Sequence, residues 1–305
     1  MRKVLSLFLV VIFTVICFCG CSSQNKQDKI KIVSTVFPPF DFARSIAGER
    51  ADVVKLVPDG SESHSFEPTP SQIKTVEDSD LFLFIGGESE NWAERIAENK
   101  SNGKTLSLIE TVTLLESDSG EEHHHHEEDG HHHEHDEHIW TSPKNAIKMS
   151  EAILNALCEA DSENAQYYKG NFAKLKAELE ELDREFESIK THKPLFFGDR
   201  FPFLYLAKEY GFNYFAAFPG CAEQTEPDIK TLAHLIEKAK EEGVKVIYYT
   251  EFSNKKIALM LCEETGAKPL LLHSCHNVTK EEMQERETYV SLMRCNCENI
   301  KKALN

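Results

Sequence analysis

The 305-residue chain is poor in positive charge. Its 34 Lys and Arg stand against 51 Asp and Glu, for a formal charge of −17. So acidic a chain has little to offer a phosphate backbone or an anionic lipid surface, which argues against nucleic acid and against a polybasic membrane contact. Several signatures of catalysis are missing as well: there is no H-E-x-x-H helix, no G-x-S-x-G turn and no phosphate-binding glycine loop. Nine cysteines are present, yet none form a C-x-x-C pair, so a thiolate zinc ribbon is not expected. After the first twenty residues no apolar run is long enough to span a bilayer.

Histidine is what the chain has in excess, and in one place. Nine of its fourteen histidines lie in EEHHHHEEDGHHHEHDEHIW, residues 121–140: His123, His124, His125, His126, His131, His132, His133, His135 and His138. Neutral imidazole is the commonest metal ligand, and interleaved carboxylates lower the cost of bringing a cation near. So polar a tract cannot build a core, so it reads as a metal-collecting loop. An internal position laced with acids speaks against an affinity tag.

The N-terminus opens Met1-Arg2-Lys3 and then runs apolar from Val4 to Gly20, the pattern of an export signal over residues 1–20. Gly20-Cys21 resembles a lipobox, with Phe18 where Leu is usual, so Cys21 is expected to be lipidated and residues 21–29 to form a tether. Removing residues 1–20 takes away Arg2 and Lys3 and no acid, leaving −19. The expected location is the outer face of the cytoplasmic membrane, lipid-anchored. Of the remaining cysteines, Cys158, Cys221, Cys262, Cys275, Cys295 and Cys297, an even number in an exported chain permits disulfides.

From Lys29 onwards short β-rich runs alternate with helical stretches. Strands are expected at Ile30–Val36, Ala51–Val57, Leu81–Gly87 and Thr105–Glu110, and again at Pro194–Gly198, Asn213–Phe218, Val244–Thr250 and Lys268–Leu272. Between the two sets lies one apolar stripe, Ala165, Tyr168, Phe172, Leu175, Leu179, Leu182, Phe186 and Ile189, at alternating spacings of three and four. That is one face of a long helix, on the order of 40 Å at 1.5 Å per residue. The fold class is therefore α/β: two similar lobes with mostly parallel sheets, joined by one long rigid helix. The expected division is an N-terminal lobe over 30–160 carrying the His-rich loop 121–138, a linking helix over 161–191 and a C-terminal lobe over 192–305.

Open α/β sheets bind ligands beyond the carboxyl ends of their strands. That rule selects His64, after the second strand, and His138, in the loop following the fourth. In the second half it selects Asp199 and Arg200, Cys221, and the trio His273, Cys275 and His276. His192 precedes its strand and His234 sits within a helix, so both read as structural or solvated. Imidazoles from both halves converging on one cleft suggest a metal site between the lobes.

Four motifs, in this order, carry a resemblance: GSESHSFEPTPSQI, EHIWTSPKNA, FPFLYLAKEYG and LLLHSCHN. Over essentially the whole mature chain the sequence resembles the zinc and manganese solute-binding lipoproteins of ABC importers (solute-binding protein family nine). The resemblance implies a monomer that captures a divalent metal outside the membrane and hands it to an ABC-type permease, with little lobe movement. It matches His64 and His138 to the first two family ligands, and His273 to the position just after the last strand where the family usually has Asp. The third family ligand falls on Arg200, which stays protonated and cannot ligate. The first shell is expected to be His64, His138 and His273. The fourth position is left to Asp199, His276, Cys275, Glu226 or water, or Arg200 orients a carboxylate there. An imidazole-rich site favours Zn²⁺ over Mn²⁺, which prefers more oxygen ligands. Cys221 and Cys275 both lie at the ligand end, where a disulfide is preferred to a thiolate ligand in an oxidising compartment.

Two other functions compete. A zinc hydrolase would need H-x-H-x-D-H; counted from His133, the position that must be Asp is Glu137. A surface adhesin or a pure metal sink would need an exposed binding stripe or many weak sites and no tight one.

Overall fold

The computed structural model describes residues 29–117, 135–218 and 227–304. Residues 1–28, with the export signal and Cys21, lie outside the described part, as do His123 to His133 and Cys221. The first lobe is a four-stranded parallel sheet of β1 (Ile30–Ser34), β2 (Ala51–Lys55), β3 (Leu81–Phe84) and β4 (Lys104–Ser107), in the order β2-β1-β3-β4. The second repeats it with β5 (Leu195–Phe197), β6 (Tyr214–Ala216), β7 (Val246–Tyr249) and β8 (Lys268–Leu271), in the order β6-β5-β7-β8. Every pairing is parallel. The near-continuous apolar runs of the inner strands follow from helices covering both faces: all four residues of β3, LFLF, are buried.

Each strand is shorter than its apolar run suggests. Leu56 and Val57 carry backbone bonding past the end of β2, donating to Ser34 O at 2.8 Å and Thr35 O at 3.0 Å, and remain buried.

The crossover helices of the first lobe are α1 (Phe37–Ala47), α2 (Pro70–Glu77) and α3 (Asn91–Asn99). Local chemistry sets where α2 starts. Thr69 and Gln72 form a reciprocal capping box, and Pro70, whose missing N–H costs nothing there, takes the first helical position. The helix α4 (Pro143–Ala160) starts likewise, with the Ser142 hydroxyl accepting from the Asn145 N–H and Pro143 following. The long helix α5 (Ala165–Glu187) has 23 residues, about 35 Å at 1.5 Å per residue. Its stripe of Tyr168, Phe172, Leu175, Leu179, Leu182 and Phe186 is buried throughout. It rests on α1 and α4 from the first lobe and on the closing helix α10 (Tyr289–Leu304) from the second. One apolar core therefore runs without a break from Ile32 through Leu179 to Leu272 and Ile300. The second lobe is completed by α6 (Leu204–Tyr210), α7 (Ile229–Glu241), α8 (Lys256–Thr265) and the short α9 (Lys280–Glu285).

Polar stitches hold the lobes together at the ligand end. The Phe37 N–H donates to the His276 carbonyl at 3.1 Å, and the Gly60 N–H to Val278 O at 2.8 Å. The Asn277 side-chain amide donates to the carbonyls of Pro58 and Ser61, and the Trp140 indole N–H to Ser274 O at 2.8 Å. Tyr289 donates its hydroxyl to the Trp140 carbonyl. All but the last of these bonds join the loop after β8 to the first lobe.

Candidate metal centre

Three imidazoles meet in that cleft. His64, His138 and His276 each offer a ring nitrogen, and these atoms all lie within 4.8 Å of one another. Ring centroids are 5.6 Å apart for His64–His138, 4.8 Å for His64–His276 and 5.6 Å for His138–His276. His64 comes from the loop after β2, His138 from the turn that leads into α4, and His276 from the loop after β8. His138 and His276 are buried and His64 is half-buried.

Each ring is set in place by chemistry legible in its own segment. The Asp136 carboxylate accepts the His138 backbone N–H at 2.9 Å and faces its Nδ1 at 3.2 Å. A proton held on Nδ1 by that carboxylate leaves the lone pair on Nε2. The loop bearing Asp136 is tied in turn by Tyr205, which donates its hydroxyl to the Asp136 carbonyl at 2.8 Å. The Trp140 ring lies 4.7 Å from His276 and 5.3 Å from His138 and walls the cluster from the core. Cys275 adopts a left-handed backbone, φ +60°, and this turn carries the chain from His273 to His276.

Burial and neighbouring charges favour the neutral form of His64 and His276, as ligation requires. Burial, followed by the neighbouring His138 and Arg200 charges, pushes the His64 pKa down to about 3 against a smaller pull from Asp136. Burial, then His64, His138 and Lys55, holds His276 well below the usual imidazole value.

The geometry reverses the expected ranking of His273 and His276. His273 is buried away from the cluster, inside the second lobe, where Asn296 clamps it: the His273 N–H donates to Asn296 Oδ1 at 2.7 Å and the Asn296 amide donates to His273 O at 2.7 Å. Its Nδ1 accepts the Cys275 N–H at 2.9 Å, and its Nε2 faces Glu282 at 3.4 Å. Burial opposes a charge on this ring, while Glu251 and Glu282 outweigh burial and push its pKa up. The Cys275 N–H can only donate, so the first proton sits on Nε2, towards Glu282. Neither nitrogen has a lone pair directed at the cleft. Asp199 is also withdrawn: one oxygen accepts the Thr250 N–H at 3.0 Å and its hydroxyl at 2.7 Å, and the other accepts the Arg200 N–H at 2.9 Å. Cys275 is a buried free thiol whose Sγ faces the His273 carbonyl; its expected partner Cys221 lies outside the described residues. His135 is exposed and pairs with Glu116 in an isolated bridge, and His192 and His234 are exposed and distant from the cluster.

Two supporting residues escaped sequence reasoning. Asp136 stands two places before His138 inside a tract so acidic that no single carboxylate stands out. Glu251 follows β7 at the ligand end and accepts both the N–H (2.8 Å) and the hydroxyl (2.5 Å) of Ser274, pinning the loop that presents His276. The strand-end rule that selected Asp199 applies to Glu251 equally.

The family model described as "Zinc-uptake complex component A periplasmic" matches residues 32–303. The high-affinity zinc uptake system protein ZnuA of Bacillus subtilis is 34% identical, over 99% of this chain and 98% of its own length. Among solved structures, the metal-dependent lipoprotein YcdH of Bacillus subtilis superposes with a TM-score of 0.77 at 30% identity, covering 90% of this chain and 99% of that one. The Zn(II)-bound ZnuA-like domain of Streptococcus pneumoniae AdcA gives 0.75 at 27%, over 90% and 99% of the two chains.

Proposed function

The chain belongs to the family of zinc-uptake complex components, and from that membership we propose that it captures Zn²⁺ with His64, His138 and His276. It is the metal-binding component of an ABC importer; the ion is its cargo, delivered to a membrane permease. Convergence of three imidazoles within 4.8 Å, from loops of both lobes, is the observation that carries the reading. Three nitrogen donors at a tetrahedral ion suit zinc better than manganese.

The finer reading follows the expected organisation: a lobe over 30–160, a linking segment over 161–191 and a lobe over 192–305, acting as a monomer anchored through lipid on Cys21. No helix among the described residues is long and apolar enough to cross a membrane. The His-rich tract collects the metal weakly.

Calorimetric titration of the purified full chain with Zn²⁺ and Mn²⁺, and of a form lacking residues 121–134, tests this. One tight zinc site that survives removal of the tract, and that weakens by orders of magnitude in His64→Ala, His138→Ala and His276→Ala, is the expected result. Weak sites alone, all lost with the tract, would make the protein a metal sink.

A further inference from the structure

The same cleft holds a positive charge that cation capture does not explain. Arg200 lines it together with His64, His138 and His276. It is delivered there by a tight turn: a Cβ on Gly198 would lie 2.3 Å from the Ala258 Cα, so only glycine lets β5 end against α8 and release Asp199 and Arg200 into the loop. The Asp199 carboxylate next door is spent on Thr250 and on the Arg200 backbone. The Arg200 guanidinium itself makes no hydrogen bond or ion pair among the described residues.

Two needs meet at this point. Zinc takes four ligands, and the described residues bring three together, with Glu226, the other acidic candidate, outside the described part. All three donors are ring nitrogens that bring no negative charge of their own, so a bound divalent ion would sit beside the Arg200 guanidinium with only the surrounding carboxylates to offset it. The carboxylates nearby are engaged elsewhere, Asp136 on His138 and Glu251 on Ser274, while Glu62 at the rim is exposed. A planar guanidinium that shares this lining, with no side-chain partner among the described residues, is suited to an oxyanion that also reaches the metal.

We propose that Arg200 forms an anion subsite in the metal cleft, and that the protein takes its cation together with a small carboxylate whose oxygen fills the fourth coordination position. This rests on the three-histidine reading of the cargo site. One carboxylate oxygen donates to the metal and the other accepts from the guanidinium. The captured species is then a metal–carboxylate pair, and the abundance of small organic acids outside the cell sets the apparent affinity.

Cobalt(II) tests this, because its visible bands report ligand number and type directly. The full chain is loaded with Co²⁺ and titrated with acetate or formate at constant ionic strength, with perchlorate as the inert control; Arg200→Gln and Arg200→Lys are treated likewise, with their thermal melts as a check on folding. A saturable change in the cobalt spectrum with carboxylate, Co²⁺ binding about tenfold tighter in its presence, loss of the response in Arg200→Gln and partial retention in Arg200→Lys are expected. A spectrum indifferent to carboxylate, or a response unchanged in Arg200→Gln, overturns the proposal; a band shift that follows pH alone assigns the open position to hydroxide and overturns it too. A chain that binds neither cobalt nor zinc fails the cargo reading as well, whereas cobalt binding without a carboxylate response fails this inference alone.

Discussion

The Asp136 carboxylate lies 3.2 Å from the Nδ1 of His138, and both groups are buried. A carboxylate behind an imidazole orients the ring, fixes its tautomer and raises its basicity as a ligand. Asp136→Asn keeps the shape and removes the charge, and zinc affinity in that variant is expected to fall about 10- to 100-fold. Competition against a chelator of known affinity measures it. Unchanged affinity would show that His138 needs no carboxylate behind it.

The pH response follows from burial of the cluster. His64 has its pKa lowered to about 3 and His276 is held well below the usual value, so both stay neutral where a free imidazole would already be charged. Between about 3 and the unperturbed value near 6.5 the unfolded chain binds protons that the native chain refuses. These two rings therefore contribute stability that is lost as pH drops through that window, while His273, whose pKa is raised, acts in the opposite sense as pH rises above it. Thermal melts of the metal-free chain from pH 7 to pH 4 should show the loss, and His64→Gln should show less of it. Zinc capture itself should persist below pH 6.5, lower than the composition of the tract suggests, because the cleft rather than the tract sets the proton competition.

The turn at Cys275 gives a backbone test. A left-handed conformation disfavours branched side chains, and Cys275 adopts it with its side chain fully buried. Cys275→Val is expected to be less stable than Cys275→Gly by about 1–3 kcal/mol in denaturant unfolding. It should also weaken zinc binding, since the same turn presents His276. Equal stability of the two variants would mean that the turn is not strained.

Much of this was legible in the sequence, for identifiable reasons. Apolar runs of four to seven residues separated by capped helices wrote out both parallel sheets, and the 3-4 spacing from Ala165 to Ile189 wrote out α5. The strand-end rule placed His64, His138 and His276 at one end of the molecule. It could not rank His273 against His276, because that choice depends on one residue, Cys275, whose left-handed φ is not signalled by a Gly or Asn. His273 instead turns inward to Asn296, a partner 23 positions away on α10. Nor could the sequence show that Asp199, chemically a good ligand, is consumed by Thr250 on the neighbouring strand's loop, 51 residues on.

The long helix allows fold and site to be separated by mutation. Leu179 is fully buried in the continuous core, midway along α5, and makes no part of the cleft. Leu179→Ala removes its packing and leaves a cavity between α5 and the helices it rests on, at a cost of about 2–5 kcal/mol. Trp140→Phe acts at the other end of the argument. It keeps a ring beside His276 but removes the N–H that the Ser274 carbonyl accepts at 2.8 Å, leaving a buried acceptor unpaired at about 1–3 kcal/mol. The two variants should therefore both melt earlier, yet differ in capture. Leu179→Ala should bind zinc as the parent does at a temperature where both are folded, while Trp140→Phe should release it faster, because the loop that presents His276 has lost one of its ties to the first lobe. Stopped-flow release into excess chelator, run beside the melts, reads both quantities on the same samples; equal release rates in the two variants would show that the tie between Trp140 and Ser274 holds the fold and not the site.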